Sequence, residues 1–309
     1  MNRLRDRNDG ANWRGSTVTF LRDPSLPGIT HQRVMSLRKT ASYAWTEKDV
    51  MLYALDIGLG HAPLNRHELA FVYESGLKTF PTYPVVVGFH GSAMDDVGID
   101  YRYVLHGEQA ISLHRPIPPE GRASTVSRMI GAWDKGAGKG AVFSQETVMT
   151  LKGETAPLAT IRMTSFARAE GGFDGPREGQ PRPHAVPERA PDRTVRITTA
   201  PNQALLYRLS GDLNPLHADP DTAKAAGFSR PILHGLCSYA ICCRAVLAEY
   251  CDFDPARILH HEVRFSSPVY PGETLAIDLW KDGNTVSFEA RIEERDVTVI
   301  RNGKTLLSR

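Results

Sequence analysis

Between positions 212 and 217 the chain carries a carboxylate, a carboxamide and an imidazole: Asp212, Asn214 and His217, in the run YRLSGDLNPLH of residues 207–217. Gly211, Asn214 and Pro215 mark a turn after a short helical pattern, so the three side chains are presented together on a tight loop. A carboxylate and an imidazole directed at one water can take a proton from its oxygen and return one to carbon, given suitable protonation states. An amide beside them can orient that water or the reacting group. The same residues also fit an Asx-turn, in which Asp212 and Asn214 cap main-chain groups and His217 is a surface or satisfied core residue.

The elements that must position this loop follow it closely. Ile232, Leu233, Leu236, Tyr239, Ala240, Cys243, Val246 and Leu247 recur at helical spacing behind Pro231, a residue tolerated in a first helical turn. The wide apolar surface suits a helix enclosed by a sheet. His234, Arg244 and Glu249 interrupt the same window, and a bilayer would penalise them heavily, so it is a core helix and not a membrane span. Residues 124–133, 141–150, 158–166, 274–280, 285–293 and 297–300 read as strands between turn residues. One helix followed by consecutive strands argues an α+β unit whose antiparallel sheet curls around the helix.

The sequence also reads as two related halves. Residues 167–193 are crowded with Gly, Pro and charge, cannot order themselves as a core element, and form a linker. Around it, Tyr53 to Gly58 pairs with Tyr207 to Gly211, Leu105 to Gly107 with Leu233 to Gly235, Pro116 to Gly121 with Pro268 to Gly272, and Trp133 to Gly136 with Trp280 to Gly283, in the same order. The spacing after the second of these pairs assigns the long helix to the second half alone. The expected organisation is an irregular extension over 1–40, a first unit over 41–166, the linker, and a second unit over 194–309.

Composition narrows the function. A chain of 309 residues with 37 Lys and Arg against 35 Asp and Glu has a net charge of +2, too little to gather nucleic acid or an anionic membrane. The cysteines at 237, 242, 243 and 251 lack the paired spacing of a zinc or redox site and read as packed, reduced thiols of a cytoplasmic protein. The N-terminus has no apolar segment of a secretion signal, and residues 307–309 are not the usual peroxisomal tripeptide. Neither metal-ligand spacing nor a dinucleotide fingerprint is present, so neither metal nor cofactor is expected.

Taken with GFSRPILHGL at 227–236, Arg264 and Phe265, and Pro268 to Gly272, the run at 207–217 resembles the signature of the MaoC-like, type 2 enoyl-CoA hydratases. Tyr43 to Gly60, Phe71 to Glu74 and Leu105 to Gln109 resemble the two-domain members, so the resemblance runs from Tyr43 to the C-terminus. It implies a double hotdog, two antiparallel sheets each wrapped around a helix, with the long helix complete only in the C-terminal half. It implies syn hydration of trans-2-enoyl-CoA to (3R)-3-hydroxyacyl-CoA, with Asp212 and His217 as catalytic pair, Asn214 as orienting amide, and the Gly235 N–H polarising the thioester carbonyl. A first-turn N–H is suited to that task because it lacks an intrahelical partner and sits at the positive end of the helix dipole. Gly235 also reads simply as a close-packing glycine.

His106, Gly107, Lys135, Phe265 and Arg264 resemble substrate-contacting positions. Read as single residues, His106 is equally a packed histidine, Arg264 a solvated strand residue, and Lys135 part of a flexible glycine hairpin. The loop after Tyr53 reads LGHAP at 59–63 and lacks the Asp, Asn and His set, which implies one active site per chain and a first half that holds the acyl group. Tyr83, Val85, Val86, Val87 and Phe89 are candidate walls for that group. The expected partner is an acyl-CoA, with no nucleic acid or membrane, and the family admits a homodimer of double hotdogs. Competing readings are a dehydratase or hydratase for a branched, polar or steroid-derived acyl-CoA, a hotdog thioesterase, which would lack this Asp, Asn and His order, and a non-catalytic acyl-CoA-binding hotdog.

Overall fold

The computed structural model describes residue 25, residues 28–89 and residues 91–309. Most of the expected 1–40 extension lies outside them. Its described end is not irregular: α1 (His31–Ser36), capped by the Thr30 side chain, leads into a strand that begins at Arg38.

Two β-α-β-β-β-β units follow one another. The first holds β1 (Arg38–Trp45), α2 (Glu47–Asp56), the short helices α3 (Arg66–Leu69) and α4 (Pro84–Val87), then β2 (Val104–Leu113), β3 (Gly121–Asp134), β4 (Ala141–Leu151) and β5 (Ala159–Ala167). Irregular chain runs from there to the second unit. That unit holds β6 (Arg193–Thr198), α5 (Gln203–Tyr207), α6 (Pro220–Ala225), α7 (Gly235–Cys251), β7 (Ile258–Phe265), β8 (Thr274–Asp282), β9 (Thr285–Ile292) and β10 (Val297–Leu307).

Strand order proves the duplication. The first unit runs β1-β3-β4-β5-β2 and the second repeats this, in mirror sequence across the joint, as β7-β10-β9-β8-β6. All pairings are antiparallel, and β2 pairs with β7 from Glu108↔Arg264 to Ser112↔His260. The two five-stranded sheets are therefore one continuous ten-stranded sheet, because the joint satisfies the hydrogen-bonding edge that each half would otherwise expose.

The core lies between the sheet and its helices. Helix α7 is apolar on nearly all sides and buried from Leu236 to Leu247 with few breaks, as a helix wrapped by a sheet must be. It begins at Gly235 and not at Pro231: residues 231–234 lie outside any helix, and His234 occupies the N-cap position. The corresponding stretch of the first unit, residues 57–103, is no shorter in kind than residues 208–257 but is interrupted by prolines and glycines and forms only α3, α4 and 3-10 turns. Tyr53, Phe71 and Phe80 fill the space there, all fully buried, with Tyr53 and Tyr83 meeting edge to face at 5.5 Å.

One expected equivalence fails. Leu105 to Gly107 lies in strand β2, whereas Leu233 to Gly235 leads into α7; the topological partner of β2 is β7. Three identical residues occupy unrelated conformations because short identity does not set backbone state without tertiary context. The Tyr53/Tyr207 equivalence is structural: both follow the first strand of their unit, and their rings pack at 6.0 Å across the junction of the halves. A buried ion pair also crosses that junction, from Arg244 of α7 to Glu68 of α3 at 2.8 Å.

Candidate active site

The run 207–217 folds as one loop between α5 and α6. Gly211, at φ +130°, takes a turn that a side chain would strain, and so swings Asp212 out of the line of α5. Asp212 Oδ1 then accepts from the Asn214 N–H at 3.2 Å, and Asn214 Oδ1 accepts from the Leu216 N–H at 3.0 Å, capping the 3-10 turn Pro215–His217. The Asx-turn geometry and the presentation of Asp212 and His217 are the same object. Asn214 is exposed and engaged as a cap, whereas His217 turns inward and is buried.

His217 Nδ1 lies 2.8 Å from the Ile232 carbonyl oxygen. A carbonyl only accepts, so Nδ1 carries the proton. Burial holds the His217 pKa below its usual value against the opposing pull of the Ile232 bond and the Asp212 charge, so the ring is neutral and Nε2 is a bare lone pair.

His234, the residue before α7, stacks on His217 with ring centroids 3.7 Å apart and planes 26° apart. Its Nε2 donates to the Asp212 carbonyl oxygen at 3.1 Å, and burial and the neighbouring His217 push its pKa down to about 3. Among the described residues its Nδ1 is buried without a hydrogen-bond partner. Nothing in the sequence marks His234 for a role beyond its place beside Gly235.

Ligand atoms of Asp212, His217 and His234 lie within 4.8 Å of one another. Planes this nearly parallel do not converge within an imidazole–metal bond length, and a metal must lie near the plane of each ring that binds it. The trio therefore suits a water between acid–base groups better than a shared ion.

Gly235 is the first residue of α7, where its N–H has no intrahelical acceptor. The Phe265 ring covers it: a Cβ at this position would stand 3.2 Å from Phe265 Cε1. Phe265 in turn meets His106 edge to face at 4.9 Å. His106 Nε2 contacts the Glu108 carbonyl oxygen at 3.2 Å, and burial lowers its pKa to about 4. Gly107 occupies the register shift between His106 and Glu108, where a Cβ would press on the Thr164 carbonyl at 3.2 Å. Thus Asp212, His217, His234, Gly235, Phe265 and His106 form one chain of contacts from the loop to the β2/β7 joint.

Two expected contact residues do not join it. Alternation along β7 puts Arg264 on the opposite face from Phe265, exposed and paired across strands with Glu108, whose carboxyl its charge acts on. Lys135 binds the linker instead, through the Arg177 carbonyl oxygen at 2.9 Å and Gln180 Oε1 at 3.0 Å. Of the candidate wall residues, Tyr83, Val85 and Val86 are buried and pack in the first-unit core, with Val87 and Phe89 partly buried against it.

The sequence of each unit matches a family model: residues 43–169 the MFE-2 hydratase 2 N-terminal domain, and residues 183–303 the MaoC like domain. The enoyl-CoA hydratase ChsH3 of Mycobacterium tuberculosis is 41% identical over 86% of this chain and 93% of its own. The chain belongs to the MaoC-like hydratase 2 family. Its two units make the double hotdog of that family, fused through β2 and β7. Another member, the peroxisomal enoyl-CoA hydratase 2 of Arabidopsis thaliana, is 36% identical over 84% of this chain and 89% of its own. The crystal structure of a MaoC-like dehydratase from Phytophthora capsici superimposes with a TM-score of 0.81 at 33% identity, covering 91% of this chain and 99% of that one. Among the described residues no helix of this MaoC-like protein is long and apolar enough to cross a membrane.

Proposed function

We propose that this chain is an (R)-specific 2-enoyl-CoA hydratase, which adds water reversibly across the 2,3 double bond of a trans-2-enoyl-CoA. The observation that carries the reading is the geometry at the loop: the Asp212 carboxyl lies within 4.8 Å of the His217 ring nitrogen, and the His217 Nδ1 bond to the Ile232 carbonyl leaves Nε2 as the acceptor, beside the first turn of α7. Relatives that bear the name enoyl-CoA hydratase at 36–41% identity support it.

In this reaction the substrate water is held between Asp212 and His217. Its oxygen bonds to C3 as the 2,3 π bond breaks, and its proton passes to the His217/Asp212 pair. The electron pair moves onto the thioester oxygen, where the Gly235 N–H and the positive end of α7 stabilise the enolate. A proton then returns from the pair to C2, so one water is consumed and nothing is oxidised or reduced. Both groups act from one side of the substrate, which makes the addition syn. The reverse steps are the dehydration.

Asn214 shapes the loop as its cap, and His106 with Phe265 flanks the thioester end. Residues 194–309 form the catalytic unit and residues 41–166 the acyl-holding unit, with Tyr83, Val85, Val86, Val87 and Phe89 bordering the acyl group. The same proposal places the protein in the cytoplasm, with acyl-CoA as its partner and a homodimer of double hotdogs as its assembly. The test is a panel of trans-2-enoyl-CoA thioesters of graded size, followed by loss of absorbance of the conjugated double bond, with chiral analysis of the product. A product of (3S) configuration, or thioester cleavage without hydration, would sink the reading.

A further inference from the structure

Asp56 is a buried carboxyl that the hydration steps do not use. It is the last residue of α2 and has no exposed surface. It belongs to the first unit, yet its carboxyl and carbonyl bind the second. Asp56 Oδ2 accepts from Ser210 Oγ at 2.5 Å. Its main-chain carbonyl accepts from Gln203 Nε2 of α5 and, at 3.6 Å, from Cys237 Sγ of α7. Ser210 lies two residues before Asp212, Gln203 on the helix that feeds the loop, and Cys237 in the first turn of the helix whose N–H meets the thioester.

Stability does not recommend a carboxylic acid at this position. The C-terminal end of a helix disfavours negative charge, and burial removes its hydration. Among the described residues Asp56 Oδ1 is buried without a hydrogen-bond partner. Burial pushes the pKa up to about 7, opposed only by the Ser210 bond. A costly ionisable group beside a reacting centre is the pattern of function more than of packing.

We infer that Asp56 is a positioning residue for the reaction, reaching from the first unit to anchor Ser210 and through it to hold the Asp212 loop in register with the first turn of α7. This rests on the hydratase reading. Gly211 is the pivot between Ser210 and Asp212, so an unanchored Ser210 leaves Asp212 free to swing. The ionised Asp56 receives a charge-assisted bond from Ser210, and the neutral acid a weaker one. Cys237 of α7 feels the Asp56 charge, and Tyr207 of α5 and Arg208 of the adjoining turn lie on elements that pack against α2. Burial raises Tyr207 and Cys237 well above their usual values, so both stay neutral over the range in question.

The experiment is kcat and KM from about pH 6 to about pH 9, with thermal unfolding, for the full chain and for Asp56→Asn, Asp56→Ala and Ser210→Ala. Misplacement of a reacting group predicts kcat lower by about 10-fold or more in each variant at about pH 8, with KM within about twofold. The wild-type limb near pH 7 should vanish in all three. The folded pKa lies above the ordinary carboxyl value of 3.8, so the stability that Asp56 contributes is present below that value and is lost as pH rises through about 7. The Tm of Asp56→Asn should therefore gain on wild type between about pH 5 and about pH 8. Loss of Tm in every variant with kcat and the pH limb intact would make Asp56 a structural staple and overturn the inference. If the Asp56 variants do not fold, Ser210→Ala alone decides, and native kcat with an unchanged limb overturns it. A wild type that hydrates no enoyl-CoA overturns the underlying reading; an active wild type with indifferent variants overturns this inference alone.

Discussion

His217 and His234 lie ring on ring, 3.7 Å between centroids, each donating one nitrogen to a main-chain carbonyl, that of Ile232 and that of Asp212 respectively. Protonating either ring places a cation in a buried stack with no carboxylate directly bonded to it. Burial holds both folded pKa values below the ordinary imidazole value of 6.5, His234 at about 3. The stability they contribute is thus present above about pH 6.5 and is lost as pH falls through the folded values. His234→Asn keeps a donor for the Asp212 carbonyl but cannot titrate. Its Tm deficit relative to wild type should shrink between about pH 6.5 and about pH 4, and a constant deficit in thermal melts would contradict the assignment.

Asp212→Asn and His217→Gln are expected to leave the fold intact, by circular dichroism and Tm, while lowering kcat at least about 100-fold. Near-native rates in both variants would remove these residues from the chemistry. Chelators are expected to leave the wild-type rate unchanged.

Gly235 matters through space and not through backbone conformation, since its φ is ordinary and the Phe265 ring occupies the room a methyl would take. Gly235→Ala should push that ring a few tenths of an ångström toward His106 and disturb the thioester. Loss of one oxyanion donor's geometry costs up to about 100-fold, so a kcat/KM drop of about 10-fold or more is expected. Adding Phe265→Leu to Gly235→Ala restores the room and should recover part of the rate. An active single variant would assign the glycine to packing alone.

Residues 190–309 expressed alone should be poorly soluble, or much less active toward long enoyl-CoA substrates than toward short ones. Removal of the first unit strips β2 from β7, exposes an unpaired edge, and leaves Arg244 without Glu68 and Ser210 without Asp56. Sedimentation and the substrate panel check this. A soluble fragment with undiminished long-chain activity would make the first unit an accessory.

What the sequence alone determined is local. The Asp212, Asn214 and His217 loop, the strands over β3, β4, β8 and β9, and the apolar helix at 235–251 are written in the periodicity and turn residues of short windows. The family signature reaches further only because it gathers such windows in order. Tertiary structure decided the rest, because those features depend on residues far apart in the chain. Which strand edges meet at β2 and β7, and hence that Phe265 faces His106 while Arg264 faces outward, is set by sheet closure and not by either strand. That Leu105 to Gly107 extends and Leu233 to Gly235 starts a helix is set by what each packs against. His234 gained its partner through a ring stack 17 residues from His217, and Asp56 gained Ser210 across a separation of 154 residues. A local pattern specifies an element because its hydrogen bonds and alternation close within a few residues; a buried side chain finds its partners only when the chain has collapsed around it.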